Sequence, residues 1–174
     1  MVYIDIFKKI WNVILWVIIV IEVILVILFT IPNLFNIKPY VVTSGSMEPK
    51  YKVGSMIYVM RVDPSKIEVG DTITFYMKGS KIVATHEVYE IDRVNQNFRT
   101  QGINNFDENG KIMHDVTPVD YGNVIGKPIL CIPYLGYVNN YITRAPGLYI
   151  VIGITIFVVF ISFLLEKKKV GGKK

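Results

Sequence analysis

The chain has 174 residues, 52% of them hydrophobic, with a mean hydropathy of +0.42 and a formal net charge of +5. That apolar excess is too high for an ordinary soluble globule, and it is concentrated at the two ends. Much of the positive charge sits in the terminal lysines, so it argues for a lipid surface and against a nucleic-acid partner.

Residues 10–31 form the first apolar run, interrupted mainly by Asn12, Glu22 and Thr30. At ~1.5 Å per residue, a helix of this length crosses a hydrocarbon core of ~30 Å. Thr30-Ile31-Pro32-Asn33 makes a poor small-x-small cleavage site, so a retained anchor is expected rather than a removed signal peptide. Pro32 and Asn33 are expected to end the helix. A second apolar run, 148–165, contains Gly153, Thr155 and Ser162 and reads as a second span. Lys8 and Lys9 precede the first run, and Lys167, Lys168, Lys169, Lys173 and Lys174 follow the second. Only Lys38 and Arg144 lie near the inner ends. The positive-inside rule then puts both termini in the cytoplasm and residues 32–146 outside, in a two-helix, multi-pass membrane protein. The expected layout is a cytoplasmic N-terminus 1–9, helix 10–31, an extracytoplasmic domain 32–146, helix 147–165 and a basic tail 166–174. Glu22 is costly at mid-membrane depth and needs protonation or a hydrogen bond, for which Thr155 is the candidate partner.

Between the runs the pattern is β. Residues 38–42 are extended, 55–62 form a strand apolar on both faces, and 72–77 form another with β-branched alternation. Residues 81–92 continue the β character and place His86 on one face with Ala84 and Val88. A short strand is expected at 97–101 and another within 124–132. The polar stretch 102–120, rich in Asn, Asp and Gly, reads as a long surface loop. No long amphipathic helix is expected. The fold class is mainly β: a compact coiled-sheet or barrel-like domain between two membrane helices. Tyr134, Tyr137, Tyr141 and Tyr149 suggest an interfacial aromatic belt, and Phe35, Met47 and Leu135 could dip into headgroups. Leu135 fits core packing at least as well.

Cys131 is the one cysteine, so no intrachain disulfide can form, and with two histidines the chain offers no convincing zinc set. Cys131 reads as a small buried hydrophobe. No cofactor is expected.

The segment Thr43-Ser44-Gly45-Ser46-Met47-Glu48-Pro49 sits a short way beyond the first apolar run. Ser-Gly-Ser beside Glu-Pro is ordinary turn composition, but a serine in that place can meet a chain emerging from a bilayer. A hydroxyl needs a base to become a nucleophile. His86, His114, Lys78 and Lys81 are the candidates. His86 is preferred because it lies in an extended apolar segment, although a half-buried structural histidine is an equal reading of the residue alone. Gly45 allows close approach or positive φ, and the Ser46 N–H with the Ser44 hydroxyl could face a developing oxyanion.

Four ordered blocks over residues 38–138 resemble type I signal peptidases, in the archaeal, sporulating-bacterial and endoplasmic-reticulum branch that pairs serine with histidine. They are Val42-Thr43-Ser44-Gly45-Ser46-Met47-Glu48-Pro49; Val53-Gly54-Ser55 through Val69-Gly70-Asp71-Thr72-Ile73-Thr74-Phe75; Ala84-Thr85-His86-Glu87-Val88; and Thr100-Gln101-Gly102-Ile103-Asn104-Asn105 with Val124-Ile125-Gly126 and Ile132-Pro133-Tyr134-Leu135-Gly136-Tyr137-Val138. The resemblance implies a membrane-bound serine endopeptidase with Ser46 as nucleophile and His86 as base. It implies cleavage of N-terminal signal peptides from secretory preproteins after small residues at −1 and −3. The substrate would lie extended against Tyr40, Val41 and Val42, and the protein translocation channel is a further expected partner. Two positions depart from the family pattern: Ile103 stands where an aspartate is usual, and Glu87 where arginine is. Asp115, in Asp115-Val116-Thr117-Pro118-Val119, is the expected carboxylate partner of His86, with Asp107 as runner-up. The alternatives are a catalytically weak or inactive scaffold of a translocation or pilus assembly system, which Ile103 favours, and a peptidase dedicated to a few membrane substrates.

Overall fold

The computed structural model describes residues 2–170, with side chains described for all but 2–5, 148 and 164–170. The basic tail beyond Glu166, Lys173 and Lys174 included, therefore lies outside the described side chains. The chain divides into two units, one of residues 1–30 with 138–174 and one of residues 31–137.

In the first unit, α1 (Val2–Leu34) carries the long apolar run. It outlasts the expected stop: Pro32 lies inside its last turn, and the chain leaves the helix through Asn36 at φ 57°. Pro32 costs the last turn one N–H bond, and the helix ends at Leu34 soon after it. Helix α3 (Gly147–Val170) pairs with α1 through polar contacts set in apolar surroundings. Trp11 Nε1–H donates to Ser162 Oγ at 3.2 Å, and the Thr155 hydroxyl donates to Glu22 Oε1 at 2.9 Å. The partner expected for Glu22 is thus the one it has.

The two-span topology requires correction. Among the described residues one helix is long and apolar enough to cross a membrane, Ile6–Leu34. Within the described residues of α3 the apolar stretch is Tyr149–Phe163, short of the ~20 residues that a 30 Å hydrocarbon core demands. The multi-pass reading, with both termini cytoplasmic and the domain extracytoplasmic, assumed two such helices and falls with the second.

The second unit is a curled antiparallel β half-barrel. Its strands are β1 (Ile37–Val41), β2 (Met56–Met60), β3 (Thr72–Tyr76), β4 (Val83–Asp92), β5 (Asn97–Phe106), β6 (Ile112–His114), β7 (Val119–Asp120) and β8 (Val124–Ile132). Their spatial order is β1-β2-β8-β3-β4-β5-β6, with β7 beside β5. The expected long loop at 102–120 is in fact the second half of β5 followed by β6 and β7. Strand pairing, rather than side-chain propensity, makes these residues β. After the half-barrel comes α2 (Leu135–Thr143), a short helix that the sequence pattern did not suggest.

Strand β8 joins the two halves of the sheet. Residues Lys127–Ile132 pair with β2, whereas Val124 and Gly126 pair with β3. At the handover a side chain on Gly126 would lie 2.0 Å from the Met60 carbonyl oxygen, so only glycine lets the strands approach. Two apolar clusters fill the curl. Ile67, Ile73, Phe75, Val88, Phe98 and Val119 form one, and Met47, Tyr51, Ile57 and Val59 the other. Met47 is 2% exposed, which places it in the core and not among headgroups. Leu135 is also buried, and Cys131 packs partly buried against the Met47 cluster. Tyr134, Tyr137, Tyr141 and Tyr149 are exposed.

Candidate active site

Ser46 lies in the turn between β1 and β2, and backbone bonds hold that turn. Val42 N–H donates to Ser55 O and Gly54 N–H returns to Val42 O, both at 2.9 Å, which closes the loop at its base. Within it Glu48 N–H donates to Gly45 O at 3.0 Å and Tyr51 N–H to Met47 O at 2.9 Å. Met47, nearly fully buried, roots the segment in the core beside a half-exposed Ser46. Gly45 has no positive φ, and a Cβ there would meet only the Glu48 side chain at an ordinary 3.6 Å. The special backbone freedom expected of Gly45 is not used.

His86 sits on β4 opposite Ile73 of β3. Its ring presents an edge-type contact to Phe75, with centroids 6.3 Å apart and planes at 70°. Apolar packing of this kind leaves the ring few orientations. His86 Nε2 lies 3.2 Å from Ser46 Oγ, and His86 Nδ1 lies 2.6 Å from Asp115 Oδ2. Asp115 follows β6 and is seated by its own N–H, which donates to Thr100 O at 2.8 Å. The Thr100 hydroxyl, on a fully buried residue of β5, donates to the same Asp115 Oδ2 at 2.6 Å. The His86 and Asp115 side chains are only 14% and 25% exposed, so water screens this pair weakly.

The chain of partners fixes the proton positions. An ionised carboxylate can only accept, so Nδ1 of a neutral His86 carries the hydrogen. Nε2 then holds the lone pair that faces the Ser46 hydroxyl. A hydroxyl, an imidazole and a carboxylate in this series can transfer an acyl group: the imidazole takes the hydroxyl proton while the carboxylate steadies the cation that forms.

Asp107 is occupied elsewhere. Its Oδ1 accepts from Asn109 N–H at 2.9 Å and Lys111 N–H at 2.8 Å and so shapes the β5–β6 turn. His114 is exposed and packs its ring on Tyr89, with centroids 4.1 Å apart. Lys78 pairs with Asp120 at 3.3 Å, and Lys81 is exposed. Ile103, the position of the missing aspartate, packs against the Met47 cluster.

Ser44 Oγ lies 3.3 Å from Ser46 Oγ. A cleft of about 290 Å³ opens beside the two serines, lined by Tyr40, Val41 and Val42 on one wall and Ile82, Val83 and Ala84 on the other. Met47, Tyr51 and Ile57 also line it. Burial pushes the Tyr40 phenol above its ordinary pKa, and the neighbouring Tyr76 adds to the effect. Burial likewise raises Tyr51, outweighing a hydrogen bond with Thr72 that lowers it. Both phenols therefore stay neutral.

Two contributors escaped the sequence reading. Thr100 and Asn104 lie in the segment Thr100-Gln101-Gly102-Ile103-Asn104-Asn105, where nothing in the residues themselves marks a role. Asn104 Nδ2–H donates to Gly45 O at 3.0 Å, and its backbone N–H donates to Ser46 O at 2.8 Å. Threonine and asparagine are common on strands and in loops, so no local signal marks them.

These features define a class: a curled β domain with a hydroxyl–imidazole–carboxylate chain beside a cleft of mixed polar and apolar lining. The family model described as "Signal peptidase, peptidase S26" matches residues 13–97. The chain is 30% identical over 103 residues to the human signal peptidase complex catalytic subunit SEC11C, a match covering 57% of this chain and 54% of that protein. It is 36% identical over 77 residues to signal peptidase I W of Bacillus subtilis (strain 168), covering 42% of this chain and 40% of that protein. The chain thus spans about half the length of the curated relatives it matches. Over these residues it is similar to the S26 signal-peptidase family, a likeness that supports a peptidase role.

Proposed function

We propose that the chain is a serine endopeptidase that removes N-terminal signal peptides from secretory preproteins after small residues. The observation that carries this reading is the unbroken series Ser46 Oγ, His86 Nε2, His86 Nδ1 and Asp115 Oδ2, at 3.2 and 2.6 Å. Ser46 attacks the scissile carbonyl as His86 takes its proton. The Ser46 N–H and the Ser44 hydroxyl meet the oxyanion, a kind of contact worth about 3 kcal/mol of transition-state stabilisation per donor. His86 then protonates the leaving amine and activates the water that releases the acyl group. The signal peptide lies extended along Tyr40, Val41 and Val42. The cleft accepts small side chains at −1 and −3 and excludes larger ones by overlap.

The scaffold alternative drew on Ile103. Its side chain packs in the Met47 cluster while Asp115 partners the imidazole, so this departure does not strip His86 of a carboxylate.

In detergent micelles, the full chain should cleave a preprotein with Ala at −1 and −3, and a penem probe should acylate it. Ser46→Ala and His86→Ala should each abolish cleavage, and Ser46→Ala should also abolish labelling. Cleavage at the parental rate by either variant would sink the assignment.

A further inference from the structure

Resting on the peptidase reading, we infer that Asn104 is a positioning residue that sets the direction of the Ser46 N–H, the main-chain oxyanion donor. Three observations of the β5 segment converge on the nucleophile turn. The Asn104 side-chain amide donates to Gly45 O at 3.0 Å. The Asn104 backbone N–H donates to Ser46 O at 2.8 Å. Gly102 passes so close that a Cβ there would lie 2.9 Å from Ser46 O. Both carbonyls flanking the Ser46 Cα are therefore tied to one strand.

The consequence follows from peptide planarity. Gly45 C=O and Ser46 N–H belong to one trans peptide unit, so they point in opposite directions. Holding the oxygen toward β5 turns the N–H away from β5. The cleft lies on that far side: its lining comes from β1, β2, β4, their flanking segments and the serine turn, with no residue of β5. Among the described residues the Ser46 N–H donates to no protein group, which leaves it free for an incoming oxyanion. Glu48 N–H also donates to Gly45 O, but that bond belongs to the turn and moves with it. The Asn104 amide, from a separate strand, holds the peptide plane against the sheet. An oxyanion donor gains its effect from being oriented before the reaction, so a plane free to rock loses rate without losing substrate.

The test uses the full chain in detergent with Asn104→Asp and Asn104→Ala. Asn104→Asp keeps the shape and replaces the donor with an acceptor facing a carbonyl oxygen. Asn104→Ala removes the group and leaves the backbone bond. We expect kcat to fall about tenfold in Asn104→Ala and further in Asn104→Asp, with KM unchanged. A peptide boronate, which forms a tetrahedral adduct on Ser46, should weaken in parallel with kcat. An uncleavable peptide bound in the ground state should keep its parental affinity. Parental kcat in both variants, a loss confined to KM, or a loss that tracks a lowered unfolding midpoint would overturn the inference alone. A parental chain that neither cleaves preprotein nor takes up the boronate would bring down the peptidase reading and the inference with it.

Discussion

At the scale of single residues, Asp115 Oδ2 accepts from both His86 Nδ1 and the Thr100 hydroxyl. The two donors give the carboxylate one orientation and the imidazole one tautomer. Asp115→Asn keeps the volume but can present its amide hydrogens to Nδ1. That favours the tautomer with the proton on Nε2, which cannot accept from Ser46. The expected loss in kcat is about 10⁴-fold, the scale seen when a triad carboxylate is converted to its amide. Thr100→Val removes one donor to a charged group and should cost about tenfold, from a bond worth about 1.5 kcal/mol. Steady-state cleavage of a fluorogenic peptide separates the two. Equal effects would mean that Thr100, and not the tautomer, governs the site.

Among the elements, strands with period-two apolar alternation were legible in the sequence, and β2, β3, β4 and β8 lie close to where the pattern puts them. The turn holding Ser46 and the strand holding His86 were legible for the same reason, since motif and pattern coincide there. The second half of β5, with β6 and β7, was not. Gly102, Asn104 and Asn105 suit loops, and these strands exist because backbone groups find partners across the sheet. Thr100 and Asn104 lie in or beside that stretch, so their roles were hidden with it. The C-terminal extension of α1 from residue 31 to Leu34 was hidden too, because Pro32 removes a single hydrogen bond near the helix end and does not force a stop. Glycine positions make a sharper test of the architecture. Gly54 has φ +80°, and a Cβ there would sit 1.9 Å from the Tyr137 ring. Gly54→Ala combines left-handed strain with overlap and should cost roughly 2–4 kcal/mol. Chemical denaturation should show a lowered midpoint, whereas the open position Gly70, also at positive φ but with nothing within 4 Å, should suffer less from the same change.

For the whole molecule, the two halves of the sheet are linked by charge as well as by strand pairing. Asp71, just before β3, accepts from Lys127 Nζ on β8 at 2.5 Å. Burial works to raise the Asp71 pKa, but the Lys127 ammonium and the Glu68 N–H outweigh it and hold the carboxyl below its ordinary value. A carboxyl depressed in the folded state contributes stability above the unfolded value of ~3.9, and that stability is lost as pH falls through the folded value. Acid unfolding of the parental chain should therefore steepen below about pH 4. Asp71→Asn should flatten that limb while lowering stability at neutral pH. An unchanged acid limb would show that the link does not report on folding.

Among the described residues the curl does not close, and β1 pairs with β2 alone. A free rim of backbone donors and acceptors welcomes any extended guest, a second copy of the chain included. Lys38 and Pro39 sit on that rim, one bearing charge and the other lacking an N–H. Both properties disfavour pairing with a second copy. Exchanging both for valine should produce oligomers that grow with concentration in light scattering. A variant that stays monodisperse would mean that something other than these two residues keeps the rim vacant.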